Sequence, residues 1–92
     1  MDPITEMIVD ALKKLQADGW DLPIYFAAIA ANGSMLCGRF DANDEGGVET
    51  MTIAEHFEDE GLRVPLNMML TNGEGEAVRL SIQNQGEPMV YH

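Results

Sequence analysis

Carboxylates dominate the titratable side chains of this chain, so any chemistry begins with them. Asp41, Asp44, Glu45, Glu49, Glu55, Glu58, Asp59 and Glu60 fall between Asp41 and Leu62, with no lysine or arginine among them. Unbalanced charge of this kind makes a local negative field. Asp44, Glu45, Glu55, Glu58, Asp59 and Glu60 are the candidate acidic partner surface, directed at a basic protein. The same charges could imitate a phosphate backbone, which would make the chain an acidic nucleic-acid mimic inhibiting a host or phage protein. The ordinary alternative is a solvated loop and helix face.

Asp41-Ala42-Asn43-Asp44-Glu45-Gly46 has the oxygen spacing and sixth-position glycine of a calcium loop. Thr52 occupies the twelfth position, where such loops need a bidentate glutamate, and a strand rather than a helix precedes it. No metal site is predicted. His56 and His92 lack ligand spacing to each other or to Cys37. Ser34 and Ser81 sit in strand context, without the sharp turn that exposes a nucleophile. Neither catalysis nor a cofactor is expected, and Cys37 reads as a packed thiol. Arg39 and Arg79, with Tyr25, could grip a carboxylate or phosphate, which makes a small anionic-ligand binder a further alternative.

The charge balance narrows the partners. Sixteen acidic residues against five basic ones give a net charge of −11, which repels nucleic acid. No apolar run is long enough to span a bilayer. The acidic opening Met1-Asp2-Pro3 is unlike a secretory leader, so a cytoplasmic location is the expectation. A single cysteine excludes an intrachain disulfide.

These residues must be positioned by some scaffold. Asp2-Pro3 is a helix start, and Ile4, Met7, Ile8, Ala11, Leu12 and Leu15 make one apolar stripe at helical spacing. Gly19 supplies the stop, and Trp20 can fold back on the last turn. Ile24 to Ala31 and Ser34 to Phe40 read as strands around Asn32-Gly33. A polar loop, Asp41 to Gly47, follows. Thr52-Ile53-Ala54-Glu55 has the form of a capping box and predicts a helix from Ile53 to about Glu60. Leu62 to Thr71 and Ala77 to Gln83 are the remaining strands, joined at Asn72-Gly73.

The halves resemble each other. Gly19, Leu22, Pro23, Ile24 and Phe26 fall over Gly61, Val64, Pro65, Leu66 and Met68. Asn32, Gly33, Arg39 and Phe40 fall over Asn72, Gly73, Arg79 and Leu80 at an offset two residues smaller. The predicted fold is α+β, a tandem αββαββ pseudo-repeat with a four-stranded antiparallel sheet and two helices on one face. One domain spans 1–84, with units 1–41 and 48–84, and a flexible tail spans 85–92.

Turn register decides which face is free. A three-residue loop ending on a left-handed Gly33 pairs Ile24 with Phe40, Phe26 with Gly38 and Ala28 with Leu36, all towards the helices. A two-residue turn would instead bury Arg39, at a cost of several kcal/mol. The opposite face then carries Tyr25, Ile29, Met35, Arg39, Met69 and Arg79. Tyrosine, methionine and arginine are enriched at interfaces. The functional expectation is a non-catalytic protein-interaction module whose partner is another protein or a second copy in a homodimer, without direct nucleic-acid or membrane contact.

Overall fold

The computed structural model describes residues 3–59, 61–83 and 89–91, the last three as backbone. One helix, α1 (Pro3–Ala17), precedes strands β1 (Ile24–Ala30), β2 (Met35–Ala42), β3 (Val48–His56), β4 (Leu66–Thr71), β5 (Ala77–Ile82) and a short β6 (Met89–Tyr91). All pair antiparallel in the order β3-β2-β1-β4-β5-β6.

The apolar stripe of α1 buries Ile8, Ala11 and Leu12 against alternate residues of the sheet. Those are Ile24, Phe26, Ala28 and Ala30 of β1, Phe40 of β2, Leu66, Met68 and Leu70 of β4, and Val78, Leu80 and Ile82 of β5. Trp20 N–H donates to the Leu15 carbonyl at 3.1 Å, closing the helix, and its ring packs against the core. Asp2, the expected cap, lies outside the described residues.

The expected second helix does not form, and the four-stranded sheet with two helices is replaced by one helix on a sheet of five strands with a short sixth. Residues 48–56 are instead the edge strand β3. A capping box satisfies two amides at a helix start but drives no helix without an apolar stripe behind it. Val48, Thr50, Thr52 and Ile53 are β-branched, and β2 offers a full row of unpaired backbone groups. Tertiary pairing therefore overrides the local signal. Glu60, where that helix was expected to end, lies outside the described residues. So do residue 84 and, of the expected tail, 85–88 and 92, whereas Met89–Tyr91 pair with β5.

The pairings Ile24↔Phe40, Phe26↔Gly38 and Ala28↔Leu36 are those expected from a left-handed Gly33, whose φ is +93°. Three hairpin tips share one five-residue design. Ala30 N–H donates to Ser34 O, Asn43 N–H to Gly47 O and Asn72 N–H to Glu76 O. In each, the fourth residue is a glycine at positive φ: Gly33, Gly46 or Gly75. A turn followed by a left-handed residue continues the strand twist, and glycine adopts it without a Cβ penalty. In the β4–β5 hairpin the left-handed residue is thus Gly75, not Gly73.

That correction changes how the two halves align. A single offset of 42 residues carries Gly33 to Gly75 and maps the β1–β4 pairing onto itself: Tyr25↔Thr71 becomes Ile29↔Asn67, centred on Ala27↔Met69. Pro23 and Pro65, also 42 apart, both follow cis bonds. Under this offset Arg39 falls over Ser81, and the two arginines lose their equivalence. The helical part of the match is absent from the second half.

The β3–β4 connection crosses the end of the first hairpin and is fastened there. Asn32 Nδ2 donates to the Glu58 and Gly61 carbonyls at 3.1 and 3.0 Å. Fully buried Ser34 donates from Oγ to Glu58 O at 3.1 Å and accepts from Glu58 N–H at 2.8 Å. At the other end of the sheet, the β4–β5 tip approaches Leu22–Pro23 and brings Glu74 to Asp21. A hydrogen bond between these carboxyls and their mutual repulsion hold Glu74 above its ordinary pKa.

Candidate functional site

Strand alternation places odd-numbered residues of β1, β2, β4 and β5 on the face away from α1. Three rows cross it. Met51, Arg39, Tyr25, Thr71 and Ala77 form one; Ala54, Cys37, Ala27, Met69 and Arg79 the next; His56, Met35, Ile29, Asn67 and Ser81 the third. Tyr25, Ile29 and Met69 are 44%, 46% and 54% exposed, and no described element covers them. Met35 and Cys37 on β2 and Met51 on β3 are half-buried on the β3 side of them. The centre of the face is therefore apolar and accessible.

A bulge shapes one border. Cys37 opposes Ala54 and Gly38 opposes Thr52, leaving Ile53 without an opposite number. The extra residue inverts the parity of β3, so Met51 lies on the open face before the bulge and Ala54 and His56 after it. Met51 was not legible as a surface residue because its segment reads as a loop before a helix. The alternation of β-branched residues from Val48 to Thr52 was the available signal.

Arg39 lies beside Asp41 at 3.8 Å, and its Nη2 donates to the Met51 sulfur at 3.7 Å. Its Nε is buried without a hydrogen-bond partner. Arg79 is exposed on β5, three strand spacings away, or about 14 Å. The structure does not bring the two arginines together around one small anion. Charges on the face balance: Arg39 and Arg79 against Asp41 and Glu49. The −11 of the chain therefore resides elsewhere.

The acidic candidates divide. Asp44 and Glu45 occupy the β2–β3 tip, while Glu55, Glu58 and Asp59 lie at or beyond the other end of β3. The eight residue steps of β3 separate these groups by about 27 Å. Glu60 is not described. His56 Nε2 and Glu58 Oε1 lie 2.6 Å apart, both exposed. Among the described residues no three histidine, cysteine, aspartate or glutamate side chains converge as metal ligands, and no helix is long and apolar enough to cross a membrane. Compared with known proteins, the chain matches no family model, no curated protein and no solved structure.

Proposed function

We propose that this chain is a non-catalytic interaction module that pairs with a second copy of itself through the open sheet face. The observation that carries this reading is the accessible apolar centre, Tyr25, Ile29 and Met69, in a face of balanced charge on a strongly acidic chain. Two copies repel wherever their acidic surfaces meet, and least where arginines and carboxylates cancel. Five strands of about 20 Å and a short sixth present about 500 Å² per copy, so a pair buries about 1,000 Å², the lower bound of a specific interface. Met69 and Ile29 would supply the buried contact.

Light scattering across micromolar concentrations tests the proposal. A dimer is expected for the parent chain, and monomers for Ile29→Asp and Met69→Asp with unchanged circular dichroism. A parent chain that stays monomeric at high micromolar concentration overturns it, as does a dimer that survives both substitutions.

A further inference from the structure

The helix-bearing face of the sheet is only part-filled. One helix is about 10 Å across, whereas six strands span about 24 Å. Residues of β5 facing α1 are buried, yet no residue of β3 is. Between α1 and β3 lie two adjoining hollows of about 650 and 380 Å³ that share Thr5, Leu36 and Thr52. One wall is the ridge Thr5, Val9 and Lys13 of α1. The floor includes Leu36, Phe40 and Val48, and Thr50 and Thr52 form the far side.

Three properties of this groove define its occupant. Thr5, Val9 and Lys13 recur every four residues, the spacing of a ridge that packs against a second helix. The ridge is about 12 Å long, enough for two to three turns of such a helix. Glu55 on β3 and Lys13 on α1 line the groove itself, and Glu6 and Asp10 line a third hollow that shares Val9 and Lys13 with it. Acids therefore outnumber the one lysine along this side of the helix. That excess attracts a cationic flank. We propose that the groove binds a basic amphipathic helix of a partner protein, which completes the helical layer over β2 and β3. A second copy is the wrong occupant: its one helix has its apolar stripe buried and carries two acids against two lysines, on a chain of −11. The groove lies on the face opposite the proposed self-contact, so the two sites operate separately.

The test uses two fluorescein-labelled peptides of one composition, leucine and lysine, about sixteen residues long. In one the leucines follow i, i+3, i+4, i+7 spacing; in the other the order is scrambled. Fluorescence anisotropy should show about tenfold tighter binding of the amphipathic peptide, equivalent to about 1.4 kcal/mol. Amide shifts should cluster at Thr5, Val9, Leu36, Thr50 and Thr52. Val9→Lys and Thr52→Lys should each remove most of the difference, whereas Ile29→Asp should leave it intact. Absence of binding overturns the proposal, and so does equal affinity for both peptides, the behaviour of a simple polyanion. Loss in Ile29→Asp with retention in Val9→Lys and Thr52→Lys would place the contact on the open face and overturn it too.

Discussion

The β1–β2 and β4–β5 hairpins have the same tip and register but solve different packing problems. Phe26 opposes Gly38 in the first, and Met68 opposes Leu80 at the equivalent positions of the second. One pair joins a large side chain to none; the other joins two of middling size. A Cβ on Gly38 would meet the Phe26 ring and the Met51 carbonyl oxygen, each at 2.7 Å. Their tips differ as well. Ser34 in the first is buried against the crossover, while its counterpart Glu76 is exposed and accepts from its own Asn72 at 2.9 Å. Equal backbones thus carry unequal burdens: the first hairpin holds the chain together across the sheet, and the second mainly closes itself.

The sharpest way to break this comparison is Leu80→Ala, which should cost about 2–5 kcal/mol by opening a cavity beside Met68. Gly38→Ala should cost about 1–3 kcal/mol by overpacking, with part recovered in the Phe26→Leu background; the Met51 carbonyl limits recovery. Urea denaturation measures both, and a neutral Gly38→Ala would show that the ring has room to move. Ser34→Ala should cost about 1–3 kcal/mol because it hollows a fully buried site and takes the acceptor from the part-buried Glu58 N–H, against a few tenths for Glu76→Ala. The Glu58 carbonyl keeps Asn32 and Gly61 as donors. Equal losses at the two positions would erase the distinction between the tips.

The smallest effect is one of pH. Glu74 holds its proton in the folded chain to a higher pH than in the unfolded chain. Its contribution is therefore most favourable below the ordinary glutamate value and is lost as pH rises through the raised one. Asp21→Asn should flatten that part of the stability profile between acidic and neutral pH. An unchanged slope would show that the two carboxyls do not interact.

The same hairpins show what was legible beforehand. Parity on either side of Asn32-Gly33 distinguishes core from surface because a buried Arg39 is intolerable, and this placed Tyr25, Ile29, Met35 and Met69 on the open face. The stripe from Ile4 to Leu15 and the Gly19 stop define α1 for similar reasons: many residues agree. The segment after Gly47 misleads because its clearest signal, Thr52 to Glu55, is local, whereas its structure depends on a neighbour strand distant in sequence. Asn72-Gly73 misleads in a related way. Its strong turn chemistry draws attention from Gly75, and the false alignment that results makes Arg39 and Arg79 appear matched. The α1–β3 groove had no signal at all, since a part-covered face is visible only once the sheet is known to be wider than one helix.

The bulge at Ile53 reaches beyond the face it borders. An uninterrupted, flat β3 would template another strand along the border of the sheet, and repetition of that step would build a ribbon without end. The added residue twists that border, and Glu49 and Glu55 flank the bulge with like charge. Lateral growth from β3 is thereby discouraged.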